Sequence, residues 1–279
     1  MPIDAVVRKA YVDTTRGQLH YRLAGAGRPL VLLQTLPLSS FMFEPLMSVL
    51  ATRGYACYAI DAMGYGRSDP RRGPWYVEDY AANLAEGLER LDIACCDVLG
   101  GHLTGMIATE MASRFPERLR TLVIDGAYAF PPEWAAERLR LAKPVRPWVE
   151  DGSHLVEHWT YLFELLKRLD PELTLNPATQ DRVAEAFFAY LTILYGPPQP
   201  GAMFCYALEP KLRALRLPVL LIGSATDTAR PWHERAREWI PQVTEHLFTG
   251  INPLYQLDRP ERAIEYADVV DRFLQHRGV

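Results

Sequence analysis

The 279 residues carry 30 Lys+Arg against 34 Asp+Glu, a formal net charge of −4, and 49% of them are hydrophobic. That balance is ordinary for a globular chain and argues against a nucleic-acid partner or an anionic membrane surface. The four cysteines, Cys57, Cys95, Cys96 and Cys205, show neither CxxC nor Cys/His ligand spacing, which excludes a zinc module.

Residues 9–14 and 18–23 alternate and are rich in β-branched side chains, which predicts two strands around a turn at Arg16-Gly17. Residues 29–34 (PLVLLQ) form a short continuous apolar run, the pattern of a strand covered on both faces. A helix is predicted over 43–52, a strand over 55–61, a helix over 77–91, a strand over 95–99, a helix over 104–114 and a strand over 119–125. The alternation then stops. Residues 127–210 read as helical and aromatic-rich, with Trp134, Trp148, Trp159, Phe163 and Phe187 among them, between proline pairs at Pro131-Pro132 and Pro197-Pro198. Strand signals return at 219–222 and 245–248, followed by helices over 232–240 and 260–275.

Strand and helix in alternation predict an α/β fold, a doubly wound and mostly parallel eight-stranded sheet. The expected division is a core of 1–126 and 211–279 with a helical cap of 127–210 inserted into it. The N-terminus has no apolar leader run and no apolar stretch reaches 18 residues, so neither a signal peptide nor a membrane span is expected. Cysteines in buried-strand patterns fit a reducing, cytoplasmic compartment.

Several segments, in order, resemble the α/β-hydrolase superfamily. Residues 61–69 (DAMGYGRSD) match the D-x-x-G-x-G-x-S-D signature. Residues 97–105 (DVLGGHLTG) resemble the strand, nucleophile elbow and helix. Residues 29–37 resemble the strand and oxyanion loop, 223–231 the loop of the triad acid, and 257–261 the start of the last helix. The resemblance implies a catalytic triad, and here the chain departs from it. His102 stands where the serine belongs, and Thr104 replaces a glycine. Counted back from Leu257, the catalytic histidine falls on Pro253. Gln34-Thr35 replaces the usual His-Gly of the oxyanion loop, and Asp227 keeps the acid position.

Without an alcohol or thiol at the elbow, the usual acyl-enzyme ester cannot form there. An imidazole rooted at the elbow is longer than serine and reaches the space vacated at position 253. It could donate from one ring nitrogen to Asp227 and expose the other to a pocket, a triad condensed into two residues. By position in the motif, the backbone N–H groups of Leu36 and Leu103 form the oxyanion hole. Gln34, Thr35 and Tyr255 are candidates for binding substrate oxygens. Packing is the alternative for Tyr255, and loop hydrogen bonding the alternative for the other two.

A base beside an oxyanion hole suits proton abstraction next to a carbonyl. The expected enzyme is thus a cofactor-free lyase or isomerase acting on a mostly apolar carbonyl compound, for instance one eliminating a carboxylate in polyketide-like secondary metabolism. The alternatives are hydrolysis by an unusual route and a non-catalytic binding protein. No metal is expected. His154 and His158 share a helical i, i+4 spacing, but no third ligand is evident and Gly152 argues against a firm helix. Asp125 is expected to cap or turn the chain.

Overall fold

The computed structural model describes residues 6–35, 38–141, 148–177, 179–195, 202–257 and 259–276. Its eight strands are β1 (Arg8–Thr14), β2 (Gly17–Ala24), β3 (Arg28–Leu33), β4 (Tyr55–Ile60), β5 (Cys96–Gly101), β6 (Leu119–Asp125), β7 (Val219–Ser224) and β8 (Val243–Phe248). They form one sheet in the order β1-β2-β4-β3-β5-β6-β7-β8. Only the β1–β2 and β2–β4 pairings are antiparallel. From β4 to β8 every pairing is parallel, as the strand–helix alternation requires.

The apolar run of β3 shows why a parallel centre forms. Leu30 and Leu32 face one core cluster, and Val31 and Leu33 face the other. Helices α1 (Glu44–Ala51) and α10 (Ala263–His276) cover the first face, while α2 (Val77–Arg90) and α3 (Leu103–Arg114) cover the second. Helix α2 buries Val77, Tyr80, Ala81, Leu84 and Leu88, a stripe at helical spacing. Asp79 closes its N-terminus by accepting from the Tyr76 N–H at 3.0 Å.

Between β6 and β7 lie helices α4 (Pro132–Arg140), α5 (Ser153–Leu169), α6 (Gln180–Tyr195), α7 (Ala202–Cys205) and α8 (Leu208–Ala214); α9 (His233–Trp239) follows β7. Glu185 of α6 meets Arg67 at 3.2 Å and Arg22 at 3.6 Å, and Arg182 donates to the Leu257 carbonyl at 2.8 Å. These contacts hold the inserted helices over the carboxyl edge of the sheet. Gly152 does not interrupt the helix carrying His154 and His158. It sits at φ 74° as the residue before α5, a left-handed position that glycine adopts without strain.

Strand β5 runs to Gly101 and α3 begins at Leu103, later and earlier than the apolar pattern predicts. A single residue, His102, is left to make the turn. Below it, Asp97 is fully buried on β5 and is held by two bonds from Arg28, at 2.5 and 2.7 Å, and one from the Thr121 hydroxyl at 2.7 Å. Replacing Arg28 by methionine leaves that carboxylate without its counter-charge. A loss of about 3–5 kcal/mol is expected, read as a fall in the urea midpoint at neutral pH.

Candidate active site

Three strand ends meet at the site. His102 follows β5, Asp125 closes β6, and Asp227 lies three residues beyond β7. This is the carboxyl edge, where parallel sheets present their ligands.

His102 has φ 53° and ψ −116°, and Asp92 is the only other non-glycine at positive φ among the described residues. The strain is over-determined by its surroundings. The His102 N–H donates to the carbonyls of Asp125 and Gly126, both at 3.2 Å. Thr104, the substituted glycine of the motif, stitches the elbow. Its hydroxyl accepts from the Gly101 N–H at 3.0 Å and lies 3.0 Å from the carbonyls of both Leu33 and Gly101. Glycines are required around it, since a Cβ on Gly101 would stand 2.2 Å from the Thr35 hydroxyl.

The His102 ring reaches the acid. Nε2 lies 2.8 Å from Asp227 Oδ1, which also accepts from the Ala229 N–H at 2.7 Å. Only 5% of the His102 side chain and 1% of the Asp227 side chain remain exposed. Burial opposes the charge on His102, but the neighbouring Asp227 outweighs it through charge and hydrogen bond, with help from Asp125, and the imidazole pKa is raised. Burial likewise works against Asp227, and the imidazole prevails, holding its carboxyl below the usual range. Because the carboxylate accepts, the neutral ring carries its proton on Nε2 and keeps the Nδ1 lone pair for chemistry. Gly126 makes the approach possible. At φ +73°, it leaves open a volume in which a Cβ would lie 2.4 Å from Asp227 Oδ2 and 2.6 Å from His102 Nε2.

The other candidates separate. Leu103 is the first residue of α3, where an N–H has no intrahelical acceptor. Leu36 lies outside the described residues. Gln34 is buried and accepts from the Ala62 N–H at 3.3 Å. The Thr35 hydroxyl is 3.3 Å from the Tyr255 hydroxyl. Tyr255 is buried, with its ring 6.4 Å from His102 and nearly parallel to it. Pro253 is buried in a 3-10 turn, and the residue before it does the polar work. Asn252 donates to both oxygens of Asp125 at 3.0 Å and accepts from the Leu254 N–H.

Asp125 therefore does not cap or turn the chain. It is fully buried at the centre of a polar network, with Tyr266 donating at 3.0 Å and Tyr255 at 3.4 Å. The available signal was its place as the last residue of a buried parallel strand; its partners, far along the chain, left none. Burial first, and then the charge of Asp227, push its carboxyl from 3.8 up to about 7 against the pull of His102, Tyr266 and Asn252. A carboxyl with a raised folded pKa stabilises the fold below its unfolded value and forfeits that as pH rises through the folded one. The wild type is accordingly expected to lose melting temperature between pH 4 and pH 7, with Asp125→Asn losing less over the same window. Parallel curves for the two proteins would contradict the assignment.

No helix among the described residues is long and apolar enough to cross a membrane. Residues 28–260 match the family model for the alpha/beta hydrolase fold. The chain is 27% identical to 2-hydroxymuconate semialdehyde hydrolase of Pseudomonas putida over 222 residues, covering 77% of this chain and 75% of that one. It is 27% identical to haloalkane dehalogenase 2 of Mycobacterium tuberculosis over 127 residues, 45% of this chain and 44% of that one. Naproxen esterase (carboxylesterase NP) from Bacillus subtilis shares the fold at a TM-score of 0.72 and 23% identity, over 97% of this chain and 92% of that one. The chain belongs to the α/β-hydrolase fold family.

Proposed function

We propose that the protein is a hydrolase of carbonyl compounds in which His102, held by Asp227, is a general base that activates water directly. The observation that carries this reading is the 2.8 Å bond between His102 Nε2 and Asp227 Oδ1 at a nucleophile position that offers no hydroxyl or thiol. The names of its relatives supply the reaction class, hydrolysis, and they move it ahead of the lyase chemistry expected from the residues alone.

In the proposed step, Nδ1 of neutral His102 takes a proton from water while the water oxygen bonds to the carbonyl carbon. The carbonyl oxygen takes up the negative charge, facing the Leu103 N–H and, by position in the motif, that of Leu36. Asp227 stabilises the imidazolium. Collapse of the tetrahedral intermediate breaks the bond to the leaving group, which recovers the proton from Nδ1. Such a positioned base contributes about 10²–10⁴-fold.

The test is a panel of p-nitrophenyl esters, with intact-mass spectrometry of the enzyme quenched during turnover. Turnover without an acyl adduct, lost in His102→Ala, is the expected result. Full activity in that variant, or an acyl group found on a serine, overturns the proposal. The missing hydroxyl at the elbow equally favours a second reading, abstraction of a C–H proton next to a carbonyl. Exchange of that hydrogen in D₂O, without release of alcohol, would identify it.

A further inference from the structure

His102 is nearly closed off, yet a cavity of about 690 Å³ lies next to it, between the loop after β6, α4, the α7–α8 segment and α9. That volume is in the range of small-molecule sites. Five aromatic residues line it, Tyr128, Phe130, Phe204, Tyr206 and Trp239, among alanine, proline and leucine side chains. His102 does not line it, but Tyr128 does. The Tyr128 ring stacks on the imidazole at 4.6 Å between centroids, with the planes 7° apart. One tyrosine ring thus touches both the cavity and the base. Its hydroxyl lies 3.1 Å from Thr228 Oγ1, in an exposed contact on the loop that carries Asp227. An exposed hydrogen bond of this kind holds a side chain only weakly; the half-buried ring is otherwise packed on Trp232, edge-on at 5.8 Å, and on Phe130 at 6.0 Å.

We infer that this cavity is the substrate site of the His102 centre and that Tyr128 is its gate, swinging aside so that a flat aromatic carbonyl compound reaches the imidazole. The inference deepens the hydrolase reading and rests on it for the reaction, though not for the binding. The occupant is neutral, because two of the three charged side chains on the wall are already engaged, Glu209 by Arg213 at 2.8 Å and Arg235 by the Ala129 carbonyl at 3.3 Å. It is aromatic, because offset and edge-on contacts with several rings favour a planar π-system.

The experiment needs no turnover. Binding of 2-acetylnaphthalene, a neutral aromatic ketone, is followed by calorimetry on the full chain. Ala136 lines the cavity from the exposed side of α4, so Ala136→Trp fills it without touching the buried core. The wild type should bind it, with affinity reduced at least about tenfold in Ala136→Trp. Access to the base is read separately, by mass spectrometry of His102 carbethoxylation with diethyl pyrocarbonate. Tyr128→Ala should speed that modification at least about tenfold, and Thr228→Val, which only cuts the tether, about two- to fivefold. If Tyr128→Ala does not fold, Thr228→Val decides the gate. Failure of the ketone to bind the wild type, or equal binding by Ala136→Trp, overturns the site. Equal carbethoxylation in the wild type and the gate variants overturns the gate. Loss of ester turnover with binding and gating intact would count against the hydrolase reading alone.

Discussion

His102→Ala is expected to lower turnover by about 10²–10⁴-fold, the share a positioned base supplies, with an effect on stability that depends on pH. At neutral pH the substitution strands Asp227, a buried carboxylate left with the Ala229 N–H as its remaining bond. Breaking a buried pair from one side costs about 3–5 kcal/mol. Asp227 has a depressed pKa in the folded protein, so the stability it confers is present above 3.8 and disappears as pH falls through the folded value. The gap between wild type and variant should therefore narrow in acid, which a series of urea melts from pH 3 to pH 7 will read. Backbone strain gives an internal control. Alanine inherits the φ of 53° at position 102 and glycine does not resent it. His102→Gly should be as inactive as His102→Ala while regaining about 1 kcal/mol. A glycine variant less stable than the alanine variant would argue against strain at the elbow.

Gly126→Ala is expected to be nearly as damaging, although no functional group is lost. The new methyl would stand 2.4 Å from Asp227 Oδ2 and 2.6 Å from His102 Nε2, at a φ of +73° that alanine resists. Both contacts lie on the dyad, so the side chains must separate or the backbone must move. Turnover should drop by about a hundredfold and stability by about 1–3 kcal/mol. Since the methyl acts through the dyad, its effect should vanish when the dyad is already absent: the double variant Gly126→Ala/His102→Ala should be no less active than His102→Ala alone. Additive losses would mean that Gly126 supports activity by some other route.

The architecture was legible because the strands are short and buried on both faces, and their apolar runs are broken by turns and by helical spacing. The elbow was legible for a different reason. Strand, two glycines, one residue and helix leave a single position for the turn, and His102 occupies it. The approach of His102 to Asp227 followed from side-chain length and the loss of a histidine at Pro253. What stayed hidden was the other half of the polar cluster. Asp125, Asn252, Tyr255 and Tyr266 lie on three different segments, with Asp125 127 to 141 positions away from its partners in sequence. Hydrogen bonds across such separations depend on tertiary packing and leave no local pattern. Asn252 carries no signal of its own, a lone asparagine one residue before the position of the missing histidine. Tyr128 was hidden likewise: one aromatic among many in an aromatic-rich stretch, its role fixed only by the imidazole it stacks on.

The most direct measurement is a ¹⁵N-histidine NMR titration of the full chain, with the His102 ring assigned by its disappearance in His102→Gln. The account predicts a neutral ring protonated at Nε2 with a bare Nδ1, a pKa above 6.5, and a downward move of that pKa in Asp227→Asn. A His102 ring that titrates at or below 6.5 and is unmoved by Asp227→Asn would show that the dyad does not hold the base, and would contradict the mechanism built on it.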